Sequence, residues 1–189
     1  MKSVIVIGGN SDIGFSIAKT FAENNYDIHL ASRNIEGLEN KKKILNENYK
    51  SKCHITNFDI LNHLKFEEFF EKNSICPDVL VISCGYLEIE EKNFNKIIST
   101  NYLSPLIFIE KFINFYENQK KNYSIIGISS VAGDRGKKKN SIYSSSKSAF
   151  SSYLDGLRQR LYPKNINVMT VKPGWIGTKM IKNHKIPKF

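Results

Sequence analysis

The sequence has few cysteines and no long hydrophobic run. Its 189 residues include 3 cysteines, an odd number without a pairing pattern, so we expect no disulfide scaffold and a reducing, cytoplasmic location. No apolar stretch approaches the roughly 20 residues that span a bilayer, so we predict no transmembrane segment. The apolar stretch near the amino terminus is too short for a signal peptide and runs directly into a glycine loop.

Arginine is also scarce, although the chain is strongly basic. The formal net charge is +10, and of the 28 basic residues only Arg33, Arg135, Arg158 and Arg160 are arginine. A net positive charge of this size can favour binding to nucleic acid or to an anionic membrane surface. Lysine, asparagine and isoleucine are abundant together, however, which is typical of compositional drift on a solvated surface, and no nucleic-acid-binding module is recognisable. We therefore predict no nucleic-acid partner.

The rest of the composition is that of one globular domain. Hydrophobic residues make up 41% of the chain and charged residues 24%, which is ordinary usage. A chain of this length buries about 70% of its unfolded surface when it folds. No linker divides it, so we predict a single domain over residues 1–189.

Apolar runs alternate with helical stretches along the chain. Strands are predicted over 3–7, 27–31, 53–58, 78–83, 123–129 and 166–171. Helices are predicted over 13–24, 35–49, 61–72, 141–161 and 90–119, the last with a bend at Pro105. Continuous apolar strands are typical of a sheet buried on both faces. The pattern predicts an α/β fold of three layers, a doubly wound parallel sheet of the Rossmann type.

A glycine loop follows the first predicted strand. Glycines permit a tight turn and let the backbone approach a pyrophosphate, and the next helix offers free N–H groups. An ordinary strand-to-helix turn is the alternative, but the place of the loop on the first strand favours dinucleotide binding. The predicted cofactor-binding residues here are Gly8, Asn10, Ser11, Asp12, Ile13 and Gly14. Because the Asp12 carboxylate would repel a pyrophosphate, we expect it to cap the helix instead.

The turn after the second predicted strand bears on the choice of cofactor. It has no carboxylate to hold both ribose hydroxyls, and it offers the hydroxyl of Ser32 and the guanidinium of Arg33. These groups suit a 2′-phosphate, so we predict that NADP(H) is preferred over NAD(H). A surface position for Arg33 is the alternative.

Three residues in the second half of the chain predict a catalytic site. Tyr143 and Lys147 are four residues apart in a predicted helix, so their side chains share a face. The ammonium can lower the pKa of the phenol and make it a usable proton donor near neutral pH. Ser130 directly follows the fifth predicted strand, at the edge where open α/β sheets bind ligands. A tyrosine and a lysine at this spacing are common on the surface of helices, so the pair alone does not predict a catalytic site. Its combination with Ser130 is more specific.

These motifs resemble the short-chain dehydrogenase/reductase family, in its single-domain subclass, over essentially the whole chain. The resemblance implies an NAD(P)H-dependent reduction of a carbonyl, or the reverse oxidation, by hydride transfer. It implies a catalytic set of Asn101, Ser130, Tyr143 and Lys147. Asn101 would hold a water that relays protons from Lys147. A dinucleotide-binding sensor or scaffold without turnover is the alternative.

The same resemblance extends the cofactor site. Tyr143 and Lys147 would contact the cofactor as well as catalyse. The further residues that it implies are Asp59, Ile60, Cys84, Gly85, Pro173, Gly174, Ile176 and Thr178. Ile7, Asp12, Ser83 and Cys84 depart from the family pattern, and we expect Cys84 to be a small packed residue rather than a nucleophile. The family implies a homodimer or homotetramer, and no metal site is predicted.

A closer likeness concerns the substrate. The segments 83–87, 100–102 and 130–136, with Asn140, are similar to reductases that act on a decaprenyl-phosphate-linked keto-pentose. That likeness implies a small-molecule substrate, with a sugar-linked one as one candidate. Sequence-similar proteins of unknown substrate share these segments, so simple ketones stay open.

The end of the sequence differs from the family. Family members continue beyond the position of Thr178 with a lid and a seventh strand, for which residues 179–189 leave no room. We therefore expect the sixth strand to be an exposed edge and the substrate pocket to be open to water. Cofactor binding should survive, with weak turnover unless a partner chain covers the edge.

Overall fold

Six parallel strands form the centre of the molecule. The computed structural model describes residues 2–74, 76–88, 90–119, 122–136, 138–178 and 180. The strands are β1 (Ser3–Ile7), β2 (Asp27–Ser32), β3 (Cys53–Asn57), β4 (Val79–Ile82), β5 (Ser124–Ile128) and β6 (Asn167–Val171). Their order in the sheet is β3-β2-β1-β4-β5-β6. The chain reverses its winding between β1 and β4, and this switch point is where a doubly wound sheet opens a crevice for a ligand.

Helices cover both faces of the sheet, which confirms the predicted fold class. They are α1 (Asp12–Glu23), α2 (Ile35–Asn48), α3 (Phe66–Lys72), α4 (Phe94–Ile98), α5 (Ser104–Tyr116) and α6 (Ser141–Leu161). Short 3₁₀ turns span His63–Lys65, Glu117–Gln119, Val131–Gly133 and Tyr162–Lys164. The helix predicted over 61–72 therefore begins as a 3₁₀ turn.

The long helix predicted over 90–119 is interrupted. A π-helical turn, Ser99–Leu103, joins α4 to α5, and Pro105 lies in the first turn of α5. Proline has no N–H to donate, and the first turn of a helix is where this missing donor costs least. The predicted bend is thus a change of helix type, and it begins before the proline.

Alternate residues of the central strands enter two separate cores. Ile5 and Ile7 of β1 join the core beneath α3, α5 and α6, whereas Val4 and Val6 join the core beneath α1 and α2. All four are at most 4% exposed. Because successive side chains of a strand point to opposite faces, a continuous apolar run is what two covered faces require.

Strand β6 lies at one edge of the described sheet. It pairs with β5 from Asn167 to Val171, and Met169 is 57% exposed. The prediction of a missing lid concerns residues 179–189, of which all but residue 180 lie outside the described residues. None of the helices in the described ranges has both the length and the apolar character needed to cross a bilayer.

Candidate active site

The glycine loop turns tightly against the segment that follows β4. Gly8 has φ +90°, and a Cβ there would lie 2.8 Å from the Ser83 carbonyl carbon. A Cβ on Gly14 would lie 2.7 Å from the Gly8 carbonyl oxygen. Both positions therefore require glycine, one for its conformation and both for the close approach of backbone.

Ser11, and not Asp12, caps helix α1. The Ser11 hydroxyl accepts a hydrogen bond from the Gly14 N–H at 2.9 Å and lies 2.9 Å from the Ser83 hydroxyl. The expectation that Asp12 is the cap is wrong, because the residue three positions before Gly14 is the one whose side chain reaches that N–H. Asp12 is the first residue of the helix, where its carboxylate complements the positive end of the dipole.

A cleft of about 320 Å³ opens at the carboxyl edge of the sheet, beside the switch point. It brings together many of the predicted cofactor-binding residues from four strand ends: Gly8, Asn10, Ser11, Ser32, Arg33, Asp59, Ile60, Cys84 and Gly85. Asp59 shapes its own turn, because its carboxylate accepts a hydrogen bond from the Leu61 N–H at 3.0 Å. Burial raises the pKa of the Cys84 thiol to about 12, so the thiol stays neutral and is not an activated nucleophile.

One polar atom in this region lacks a partner. The Asn10 amide donates from Nδ2 to the Asn34 carbonyl at 2.5 Å, but its Oδ1 is buried and accepts no hydrogen bond from the described residues. A buried acceptor without a donor is unfavourable. Together with the Arg33 guanidinium in the same cleft, it fits a ligand that carries both hydroxyl and phosphate groups.

The remaining predicted residues line two adjoining clefts. Asp12, Ile13, Lys147 and Thr178 line a cleft of about 230 Å³ that shares Asn10, Ser11, Cys84 and Gly85 with the first one. The other, of about 100 Å³, is lined by Ser130, Tyr143, Pro173, Gly174 and Ile176 among others. Tyr143 lines both of these clefts. Of the predicted site residues, only Gly14 and Asn101 line none of these three clefts.

Tyr143 and Ser130 meet between α6 and the end of β5. Tyr143 is 8% exposed and lines the same cleft as Ser130, whose hydroxyl accepts from the Ala132 N–H at 3.1 Å. Burial raises the pKa of Tyr143, and the Ser130 side chain opposes that effect. The phenol is therefore protonated near neutral pH, as a proton donor must be.

Burial raises the pKa of Tyr143, which is opposite to the direction that the sequence predicts from the charge of Lys147. The Lys147 ammonium donates to the Ile128 carbonyl at 3.0 Å, at the end of β5. The side chain is buried, and this burial lowers the pKa of Lys147 to about 8. The hydrogen bond to a backbone carbonyl thus fixes the lysine at the floor of the cleft, and desolvation makes its protonated form less favourable.

Asn101 lies in the π-helical turn and is fully buried. Its Oδ1 accepts from the Tyr86 N–H and its Nδ2 donates to the Tyr86 carbonyl, each at 2.8 Å. A Cβ on Gly85 would lie 3.7 Å from Asn101 Oδ1 and 3.9 Å from Lys147 Nζ, so both side chains reach the same glycine. The side chain holds the loop after β4; the water relay through Asn101 stays a prediction.

Two residues at the site were missed by the sequence reasoning. Ser83 hydrogen-bonds to the helix cap Ser11, and its place directly after β4 was a usable signal. Glu91 accepts hydrogen bonds at the start of α6, including one from the Tyr143 N–H. No local pattern marks Glu91, because its partners lie about 50 residues further along the chain.

Comparison with known proteins supports one family. A family model described as short chain dehydrogenase matches residues 2–187. An uncharacterized oxidoreductase of Staphylococcus saprophyticus is 28% identical over 188 residues, covering 95% of this chain and 80% of the relative. The 3-oxoacyl-(acyl-carrier-protein) reductase FabG of Chlamydia trachomatis is also 28% identical, over 193 residues, covering 96% of this chain and 77% of its own length.

Solved structures share the fold. A variant actinorhodin polyketide ketoreductase with NADPH superposes with a TM-score of 0.86 at 22% identity, covering 97% of this chain and 75% of that one. Structures of similar fold have been solved with NADPH and with NADH. At this level of identity the likeness shows the architecture, so the choice of cofactor has to be argued from the residues of this chain.

Proposed function

The chain belongs to the short-chain dehydrogenase family, and from that premise we propose that it reduces a carbonyl group with NAD(P)H, or oxidises the corresponding alcohol. The observation that carries the proposal is that Ser130 and the buried Tyr143 line one cleft at the end of β5. That pair lines a cleft that joins the groove of the glycine loop. A proton donor beside a groove that can hold the cofactor is the arrangement that carbonyl reduction needs.

The cofactor fits the groove that runs from Arg33 to Lys147. The tight turn at Gly8 and the positive end of the α1 dipole suit a pyrophosphate. Asn10 Oδ1 offers an unused acceptor to a hydroxyl, and Arg33 offers a guanidinium to a 2′-phosphate. We therefore propose NADP(H) as the preferred cofactor. When bound, it supplies or accepts the hydride.

The side chains of this protein would handle the proton and the orientation of the substrate. Ser130 would bind the carbonyl oxygen and hold it beside the Tyr143 phenol. Tyr143 would donate its proton to that oxygen as negative charge develops there, and would take the proton back in the reverse direction. Lys147, fixed by the Ile128 carbonyl, would contact the ribose and supply positive charge at the floor of the cleft.

Two substrate classes remain in the proposal. The likeness of segments 83–87 and 130–136 to keto-pentose reductases favours a sugar-linked ketone, whereas the similarity to the 3-oxoacyl-(acyl-carrier-protein) reductase of Chlamydia trachomatis favours a 3-oxoacyl group. The cleft that Tyr143 shares with Leu87, Val131 and Trp175 has an apolar rim, which favours the acyl group. The sugar-linked ketone rests on the segment likeness alone.

The test is NADPH oxidation by purified protein with keto-sugars, polyprenyl-linked keto-sugars, 3-oxoacyl thioesters and simple ketones. We expect carbonyl-dependent oxidation with at least one class and its loss in Tyr143→Phe. Enhanced NADPH fluorescence on binding, without oxidation by any carbonyl compound, would favour the sensor and contradict the proposal.

A further inference from the structure

The amino terminus of α6 is capped from another loop. The Glu91 carboxylate accepts hydrogen bonds from the Tyr143 N–H at 2.7 Å, the Ile142 N–H at 3.1 Å and the Ser141 hydroxyl at 3.3 Å. The helix's own N-cap residue, Asn140, makes no capping hydrogen bond with its side chain. Glu91 therefore satisfies backbone donors that α6 leaves exposed, and its charge complements the helix dipole.

The backbone of Glu91 is held in an uncommon conformation. Its φ is +46°, in the left-handed region that residues other than glycine seldom adopt. The surrounding loop maintains it: the Glu91 N–H donates to the Glu88 carbonyl at 3.3 Å, and the Asn93 N–H donates to the Glu88 carboxylate at 2.8 Å. Such strain persists where the neighbouring structure determines it, and it accumulates at functional sites.

The same loop also reaches the other half of the site. It begins after β4 with Cys84 and Gly85, which line the dinucleotide groove. Its next residue, Tyr86, is clamped by Asn101. Since Glu91 then accepts hydrogen bonds from the first turn of α6, one short loop links the groove to the helix that carries the proton donor.

Tyr143 is the residue whose position depends most directly on these hydrogen bonds. It is the third residue of α6, so its backbone N–H is one of the donors that the helix cannot satisfy internally. Its side chain packs with Ile97 and Ala132 and lines the same cleft as Ser130. A shift of the first turn would therefore move the phenol relative to Ser130.

We propose that Glu91 is a positioning residue, which sets the phenol of Tyr143 against Ser130 by capping α6 from the loop after β4. The catalytic part of this inference rests on the proposed function, whereas the geometric part does not. Misplacement of a reacting group by about 1 Å can cost about a hundredfold in rate. Loss of the carboxylate should accordingly reduce kcat much more than it weakens cofactor binding.

The test compares Glu91→Ala and Glu91→Gln with a matched control, Glu90→Ala. Glu90 is the exposed neighbour, and its ion pair is with Lys92. The geometric readout is the ¹³Cζ resonance of Tyr143 in tyrosine-labelled protein, assigned with Tyr143→Phe. We expect Glu91→Ala to displace this resonance, Glu91→Gln to displace it less because its single amide oxygen can still accept from the Tyr143 N–H, and Glu90→Ala to leave it in place.

The kinetic readout separates positioning from a general loss of structure. We expect Glu91→Ala to lower kcat at least tenfold with the Kd for NADPH within twofold of the parent, and Glu91→Gln to have a kcat between those of Glu91→Ala and the parent. If Glu91→Ala folds poorly, Glu91→Gly removes the same carboxylate while suiting φ +46°, and it should show the same two effects.

Several results would overturn the inference. An unchanged Tyr143 resonance in Glu91→Ala and Glu91→Gly would do so, as would equal changes in Glu90→Ala, or a kcat that stays within twofold of the parent. If the parent protein reduces no carbonyl compound, the proposed function fails, and the resonance alone then decides whether Glu91 positions the phenol.

Discussion

The Asn101 side chain binds both backbone groups of Tyr86, with two hydrogen bonds of 2.8 Å. One buried amide thus pairs with the loop after β4 as a neighbouring strand would. The π-helical turn that carries Asn101 is the local departure from regular helix that turns it toward this loop. The loop's approach to the groove depends on a donor and an acceptor being present in the same side chain.

Asn101→Asp should destabilise the fold, because a carboxylate accepts from the Tyr86 N–H but cannot donate to the Tyr86 carbonyl. A buried carbonyl left without a donor costs about 1–3 kcal/mol. Urea denaturation at pH 7 should show a loss of that size. Asn95→Asp on the exposed face of α4 is the control, and it should change the free energy of unfolding by less than about 0.5 kcal/mol.

Tyr143→Phe should abolish most turnover while it preserves the shape of the cleft. Removing a general acid–base group typically lowers the rate about 10²–10⁴-fold. The Kd for NADPH should stay within a few-fold of the parent, because the ring and its packing are retained. Tyr162→Phe, at a position that is 80% exposed, is the matched control. A kcat of Tyr143→Phe within a few-fold of the parent would show that another group is the acid.

Arg33→Ala should remove the preference for NADP(H). A hydrogen bond to a charged group contributes about 1.5–3 kcal/mol, which corresponds to roughly a tenfold to hundredfold weaker binding of NADPH. NADH binding should change little, since it lacks the 2′-phosphate. Arg160→Ala removes a guanidinium that is paired with Glu110, and it should affect neither dissociation constant. Equal or tighter binding of NADH by the parent protein would contradict the assignment.

The order and approximate bounds of the strands and helices were largely predictable from the sequence, because the spacing of apolar residues follows from which faces of each element are buried. Helix α6 begins and ends where the sequence predicts, at Ser141 and Leu161. Features that depend on a partner distant in sequence were not predictable in this way. The hydrogen bond between Ser11 and Ser83 and the cap from Glu91 both join segments separated by 50 residues or more. Local propensity carries no information about such contacts.

The pKa of Tyr143 shows the same limit at the candidate site. The spacing of Tyr143 and Lys147 correctly placed both residues in α6 and at one cleft. It said nothing about burial, which raises the pKa of the phenol and lowers that of the ammonium. Desolvation is a property of the assembled core and groove, so a shared helix face could not reveal its direction.

His29 should make the fold sensitive to acid. It lies in β2, hydrogen-bonded to the Thr56 hydroxyl at 2.7 Å, and burial lowers its pKa from 6.5 to about 4. The folded state therefore favours the neutral ring, and between pH 6.5 and 4 the unfolded state binds more protons. The resulting stabilisation is complete above pH 6.5 and is lost as the pH falls toward 4. Its size is up to about 3 kcal/mol.

His29→Gln should remove this acid sensitivity, because the amide can still bond to Thr56 but does not titrate. The measurement is the free energy of unfolding in urea at pH 7, 6, 5 and 4.5. We expect the parent to lose stability across this range more steeply than His29→Gln does. His54→Gln, at the exposed partner position on β3, should retain most of the parent's slope, since His54 is the smallest cause of the shift. Parallel curves for the parent and His29→Gln would show that carboxylates, and not this ring, govern unfolding in acid.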